Sequence, residues 1–269
     1  MHSRISEFRR LHEAGCFVIP NPWDRGSAIF LERLGFQALA TTSAGLAWSS
    51  GRPDNAVTLE QVLAHLEEIA SAVRVPVNAD FEGGFAKEPA GVAATVARAL
   101  RTGVAGLSIE DSTGDVQHPL FEFRLAVERI EAARAAIDES GSGVLLTGRS
   151  EGFVAGRPDL DETIRRLEAY AAAGADVLFA PGLRSKEDVS ALVKAVAPRP
   201  VNLLVAGNWF TLAEAAALGV RRISVGGALA RAAWSGFVKA ARDIAENGSF
   251  ASLAATGPPL DLNAIFRSR

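Results

Sequence analysis

The sequence predicts a (β/α)8 barrel, and three observations carry that prediction. Short apolar runs alternate eight times with segments whose apolar residues recur at three- and four-residue spacing, the patterns of strands buried on both faces and of amphipathic helices. Gly35, Gly103, Gly174 and Gly219 each stand between a helical segment and the next apolar run, where a helix C-terminus favours a left-handed residue. Carboxylates gather where apolar runs stop, in Val-Pro-Val-Asn78-Ala-Asp80-Phe-Glu82-Gly-Gly and in Leu-Ser-Ile-Glu110-Asp111, and such barrels carry their chemistry at the C-terminal ends of the strands. A doubly wound open sheet is the competing architecture, but the first turn lacks a Gly-x-Gly-x-x-Gly fingerprint.

In chain order, Cys16–Pro20 is the first strand, followed by a helix over Asp24–Leu34. Gln37–Thr42 is the second, followed by a loop rich in Gly, Ser and Pro and a helix over Leu59–Val73. Val75–Asp80 precedes a helix over Pro89–Arg101. Val104–Glu110 precedes a longer loop and a helix over Arg124–Ile137. Gly143–Gly148 leads to Leu160–Ala173, and Asp176–Phe179 to Lys186–Ala195. Pro200–Val205 leads to Leu212–Leu218, and Arg222–Val225 to Ala228–Ala245. No composition break divides the chain, so residues 1–269 read as one barrel domain with a C-terminal helical tail from about 228 to 269. The stretch from Gly257 to Phe266 is apolar enough to pack on a neighbouring helix or subunit.

Composition narrows the function. A formal net charge of -3 offers no basic field to nucleic acid. No apolar run approaches the roughly 18–20 residues that span a bilayer, and the N-terminal stretch lacks the apolar core of a signal peptide. The lone Cys16 excludes an internal disulfide framework and multi-cysteine metal sites. The expectation is a soluble cytoplasmic protein.

The strand ends then supply candidates: Asn21, Trp23 and Asp24; Thr41, Thr42 and Ser43 with Asp54 further along the loop; Asn78, Asp80 and Glu82; Glu110 and Asp111; Arg149 and Glu151; and Asn208. None of Lys87, Lys186, Lys194 or Lys239 lies at a strand end, which argues against a Schiff-base aldolase. Of His2, His12, His65 and His118, only His118 could approach the site, which leaves no histidine-rich metal centre. What remains is a hard-cation site built of carboxylates, of the kind magnesium favours, opposite an arginine. Arg149 could bind a substrate carboxylate or phosphonate bidentately, or merely pair with Glu151 or Asp80. Asp54 could serve the site or simply form a turn in Gly-Arg-Pro-Asp. The turn Val225-Gly226-Gly227-Ala228 reads either as a phosphate cradle or as close packing, with packing favoured by the lack of nearby Ser, Thr or Lys.

With these residues in view, the chain resembles the isocitrate lyase/phosphoenolpyruvate mutase superfamily over nearly its whole length. The matching segments are Asn21-Pro-Trp-Asp24 to Ala28, Thr41-Thr-Ser-Ala-Gly-Leu with Gly51-Arg-Pro-Asp54, Pro76-Val-Asn78-Ala-Asp80 to Phe85, Ser108-Ile-Glu110-Asp111, Gly148-Arg149-Ser-Glu151-Gly-Phe, Ala173-Gly-Ala-Asp176 and Leu218-Gly-Val-Arg-Arg-Ile. The resemblance implies a barrel whose eighth helix is exchanged between subunits of a homodimer or homotetramer. It also implies magnesium, with manganese as an alternative, and small 2-oxo or 2-hydroxy acids. By position it gives Thr42, Ser43 and Ala44 the substrate carboxylate, with Trp23 and Asn208 as further substrate contacts read from the strand ends. Asp54 stands beside the reacting group, Asn78, Asp80 and Glu110 at the metal, and Arg149 on the substrate. Two departures qualify it. Asn78 replaces an aspartate of the family's Asp-x-Asp motif, and Glu82 could restore that charge. The loop Asp111-Ser-Thr-Gly-Asp-Val-Gln-His118 lacks the Lys-x-Cys-Gly-His of the lyases, and the mutase gating residues have no counterparts either. The expected enzyme therefore cleaves a C–C or P–C bond of a small 2-oxo acid through an enolate, as in oxaloacetate decarboxylation or phosphonopyruvate hydrolysis. The alternatives are a non-catalytic 2-oxo-acid binding protein and a partner-binding barrel.

Overall fold

The computed structural model describes residues 2–254 and 261–267. Residues 257–260 of the C-terminal apolar stretch lie outside them. In chain order the elements are α1 (His2–Leu11), β1 (Phe17–Ile19), α2 (Arg25–Arg33), β2 (Leu39–Ala40), α3 (Ser43–Ser49), α4 (Leu59–Ala72), β3 (Val77–Asp80), α5 (Pro89–Ala99, extended by a 3-10 turn), β4 (Gly106–Glu110), α6 (Phe123–Glu139), β5 (Leu145–Arg149), α7 (Leu160–Ala172), β6 (Val177–Phe179), α8 (Lys186–Ala195), β7 (Val201–Leu204), α9 (Leu212–Ala217), β8 (Arg222–Ser224), α10 (Ala228–Asn247), α11 (Ala251–Ala254) and α12 (Leu262–Arg267).

The eight strands are parallel and ordered β1-β8-β7-β6-β5-β4-β3-β2. The seam between β1 and β2 is closed by the Ala40 amide donating to Pro20 C=O at 3.1 Å and by Asn21 Nδ2 donating to Thr41 C=O at 2.9 Å. The result is the (β/α)8 barrel the alternation predicts. Local chemistry starts the helices where the chain needs them. Asp24 with Ser27, Thr58 with Gln61 and Thr211 with Glu214 form reciprocal capping boxes on α2, α4 and α9, which satisfy otherwise orphaned first-turn amides. Gly35, Gly103, Gly174 and Gly219 all take the positive φ expected of helix stops.

Two elements differ from expectation. The N-terminal segment forms α1, whose Ile5, Phe8 and Leu11 are buried. Phe8 meets His12 edge-on at 4.7 Å, and His12 meets Phe17 at 5.1 Å. The second expected loop begins with the helix α3. Thr42 caps it by accepting from the Gly45 amide, and Gly45 lets it lie on Trp23, whose Cβ would be 2.7 Å from a Cβ at position 45. Packing thus overrides the weak helix propensity of Ser and Gly.

Two buried histidines give the fold a pH signature. Burial, and for His12 also the nearby Arg222, lowers His12 from 6.5 to about 3, and burial lowers His65 from 6.5 to about 4. Between those values the unfolded chain takes up protons that the folded chain refuses, so stability falls as pH drops from 6.5, through about 4 for the His65 part and about 3 for the His12 part, and levels off below. His65→Leu is expected to lose about 2 kcal/mol less than the parent between pH 7 and pH 5, a difference that urea denaturation at the two values will measure.

Candidate active site

The last residues of β3, β4 and β5 bring their charges together at one mouth of the barrel. Asp80, Glu110 and Arg149 end their strands, and registry sets Glu110 beside Arg149. The Arg149 guanidinium lies across three carboxylates, with Nη1 at 3.2 Å from Asp80 Oδ1 and 3.1 Å from Glu110 Oε2, and Nε donating to Glu151 Oε1. It also faces the Phe179 ring at 5.2 Å. The other oxygen of Asp80 accepts from the Ser43 amide at 2.9 Å, at the start of α3, so the capped turn of α3 holds this carboxylate. Asp80 is further fixed by its amide donating to Thr41 Oγ1 at 2.9 Å.

Supporting groups hold the neighbours. Asp111 is buried, with Oδ1 accepting from the Glu151 amide at 2.7 Å and Oδ2 accepting from Tyr170 Oη at 2.7 Å and from Arg166 at 3.2 Å. That network anchors the turn after β5. Glu82 sits in a turn with φ of 48°, and buried Arg129 grips the same turn by donating to the carbonyls of Gly83, Ala86 and Lys87. A non-glycine residue held at positive φ by such contacts is a common mark of a functional turn.

Carboxylates outnumber the guanidinium that pairs with them, and burial raises the proton affinities of four of the neighbouring carboxyls. Burial, then Asp80 and Asp54, push Glu82 up to about 7. Burial raises Glu110 well above the carboxylate range and raises Glu151 too, in each case against the pull of Arg149. Asp54 is raised by desolvation and then by Asp80.

A cavity of about 180 Å3 runs from this mouth into the barrel. Thr42, Ser43, Ala44, Asp54, Asn78, Asp80 and Arg149 line it, while Glu82 and Glu110 line an open cleft of about 950 Å3 beside it. Trp23 and Asn208 line neither; Trp23 supports α3 and Asn208 is exposed. Asn21 is a staple rather than a ligand group, because its Oδ1 accepts from the Val225 and Gly226 amides, both at 2.9 Å. Those amides are therefore taken, and a Cβ on Gly227 would approach Trp48 to 3.1 Å, so the glycine turn after β8 packs closely on α3 while also lining the cavity. Exposed His118 stands 3.5 Å from Asp115.

The cavity also has walls that strand-end reading passed over: Ser108, Phe179, Asn202, Arg222 and Ser224. The polar ones have a sequence signal, a polar residue at alternate positions inside an apolar run, as in Val-Asn202-Leu and Arg222-Ile-Ser224.

The donor set suits a hard cation. Among the described residues no three His, Cys, Asp or Glu side chains converge as a ready-made cage, but magnesium takes one or two carboxylates and keeps several waters. Glu82 Oε1 is buried without a partner, beside carboxylates that carry excess charge. Asn78 Oδ1 is also unpartnered, yet it lies 2.6 Å from where a Cβ on Gly106 would stand, against β4. The orphaned oxygen that shares the field of Asp80 is thus that of Glu82.

The charged groups stand at the C-terminal ends of the strands of an eight-stranded parallel barrel, the end at which enzymes of this fold carry their active sites. The chain belongs to the phosphoenolpyruvate phosphomutase family, whose family model matches residues 8–245, and with it to the isocitrate lyase/phosphoenolpyruvate mutase superfamily. It is 32% identical over 221 residues to an oxaloacetate decarboxylase of Paraburkholderia xenovorans strain LB400, covering 79% of this chain and 71% of that one. A crystal structure of a lyase/mutase candidate from Burkholderia cenocepacia J2315 is 45% identical, with a TM-score of 0.95 over 99% of this chain and 97% of the other. Oxaloacetate acetylhydrolase in complex with its product oxalate is 29% identical, with a TM-score of 0.87 over 98% and 94%. No helix among the described residues is long and apolar enough to cross a membrane.

Proposed function

We propose that the protein is a divalent-metal-assisted enzyme that cleaves a C–C or P–C bond of a small 2-oxo acid. The observation that carries this reading is the charge imbalance at the barrel mouth. Asp80, Glu110 and Glu151 all lean on Arg149, and Glu82 and Asp54 crowd the same field. Five carboxylates around one guanidinium leave room for a cation in the charge balance. Asp80, Glu82 and Glu110 would hold it, with magnesium preferred and manganese able to replace it. Bound there, it would supply the Lewis acidity that stabilises negative charge developing on the 2-oxo group.

The chain's own groups then orient the acid. Arg149 presents a planar fork to the substrate carboxylate, and Thr42, Ser43 and Ala44 form the facing wall. Asp54, with its raised proton affinity, overhangs the mouth and positions a water or the leaving group. Oxaloacetate-like and phosphonopyruvate-like acids fit this chemistry because neither requires the cysteine acid/base absent from the loop after β4. Proton and phosphorus NMR of oxaloacetate, phosphonopyruvate, 2-methylisocitrate and malate-type acids, with and without magnesium, tests the reading. Magnesium-dependent product supports it and identifies the bond. Saturable line-broadening without product favours a 2-oxo-acid binding protein, the reading supported by the exposure of His118 and the lack of a cysteine or lysine on that loop.

The exposed face of α10 supports a homodimer or homotetramer. Only Ala230 of its 20 residues is buried, while Trp234, Phe237 and Val238 are exposed. Exchange of this helix with a second copy would bury that face, and light scattering measures the resulting mass.

A further inference from the structure

Below Arg149 the barrel interior is polar, where bulky branched side chains usually fill it in layers. Arg222 reaches into this space from the start of β8 and is 3% exposed. Its Nε donates to Asn202 Oδ1 at 2.8 Å, its Nη2 to Thr147 Oγ1 at 3.2 Å, and its Nη1 lies 3.4 Å from His12 Nε2. All three partners are neutral. His12 Nδ1 is 2.7 Å from Phe8 C=O, which fixes the proton there and leaves Nε2 as a bare acceptor. The low proton affinity of His12 keeps it uncharged.

Among the described residues the side-chain partners of Arg222 are Asn202, Thr147 and His12, with no carboxylate in ion-pair contact, and burial lowers its proton affinity. A buried ion without a counter-charge is costly, and arginine does not escape the cost by losing its proton. Three neutral acceptors also leave N–H groups to spare on both terminal nitrogens. The hydroxyls around it are set to donate as well. Ser224 Oγ accepts from Asn202 Nδ2 at 2.9 Å and Thr147 Oγ1 accepts from Arg222, so each keeps its own proton for another acceptor. Arg222, Asn202 and Ser224 line the same cavity as Arg149 and Ser43. Thr147 and Arg149 are alternate residues of β5, so the two guanidinium levels are about 7 Å apart along the strand.

We propose that the lower end of this cavity is an anion subsite, in which Arg222, with Thr147, Asn202 and Ser224 around it, takes a monovalent anionic group. That group is either a carboxylate arm of an organic acid whose 2-oxo end lies at Arg149, or a free halide. The first form rests on the reading proposed above; the second does not. In either form the anion supplies the counter-charge that the protein omits.

The test uses the full chain and Arg222→Met, which keeps the length of the side chain and removes the charge. Calorimetric titrations compare 2-oxoglutarate with 2-oxopentanoate, which has the same chain length and one carboxylate fewer. Melting curves at constant ionic strength compare bromide with gluconate, a far larger and more strongly hydrated anion. The parent is expected to bind 2-oxoglutarate about tenfold or more tighter than 2-oxopentanoate, or to be stabilised saturably by bromide. Arg222→Met is expected to lose that preference while its affinity for 2-oxopentanoate is unchanged. Equal behaviour of parent and variant in both arms overturns the subsite and leaves Arg222 a strut. If neither oxo acid binds the parent, the reading at Arg149 falls, and the bromide arm still decides the subsite. Bromide-soaked crystals of the parent provide a measurement that needs no variant. An anomalous peak within hydrogen-bond distance of the Arg222 guanidinium supports the subsite, and its absence at saturating bromide, with no preference for the diacid, rejects it.

Discussion

Asp80→Ala is expected to lower kcat/KM for metal-dependent cleavage by about 10³-fold or more, the scale of losing a main electrostatic element of an active site. Asp80 touches both halves of the machinery, since Oδ1 meets Arg149 and Oδ2 meets the Ser43 amide. Its removal takes a carboxylate from the cation and loosens the arginine that orients the acid. The fold is expected to survive. Asp80 is itself among the charges that raise Glu82 and Glu110, so deleting it relieves repulsion in the metal-free protein. Steady-state kinetics paired with melting curves check both halves: activity collapses while the metal-free melting temperature holds or rises. A fall in both together would mean that Asp80 is structural.

Arg149→Met carries the largest expected stability effect. The Arg149 side chain is largely buried and pairs with Glu110 and Glu151, themselves little exposed. Removing one member of such a cluster typically costs about 3–5 kcal/mol, because charge is left buried without a partner. The sign of the pH dependence follows. Without Arg149, Glu110 and Glu151 rise further above the proton affinities they have when unfolded, so the folded state holds more protons and stability falls as pH rises. The penalty should be full near pH 8 and mostly absent near pH 5, as urea denaturation at both values will measure. Arg149→Lys should recover much of the stability but little of the activity, since a point charge cannot replace the planar fork.

These predictions rest on residues that the sequence exposes to different degrees. The barrel was legible because strand and helix periodicities alternate and Gly35, Gly103, Gly174 and Gly219 mark the stops. Asp80, Glu110 and Arg149 were legible because each ends an apolar run, and the cavity does gather Thr42, Ser43, Ala44, Asp54 and Arg149. The helix α3 was not, because Ser43, Gly45 and Ser49 have weak helix propensity and the element depends on packing against Trp23. Arg222 and Asn202 were hidden for a different reason. A polar residue within a strand reads alike whether it faces the interior of a barrel or an edge, and only the closed sheet shows which. Asn208 illustrates the converse: its place in the chain suggested the site, yet it lies in an exposed turn. Asn78, within β3, and Glu82, in the turn after it, also needed coordinates to be told apart, since the sequence does not show that the Asn78 oxygen lies against β4.

The central claim is that a bound cation and Arg149 together form a seat for a 2-oxo acid. Calorimetric titration of oxalate, a stable mimic of the planar dioxygen face such an acid presents, tests it most directly. The account predicts saturable binding with magnesium present, and binding weakened about 100-fold or more once the metal is chelated. Oxalate affinity unchanged by chelation, or no binding in either condition, would contradict it.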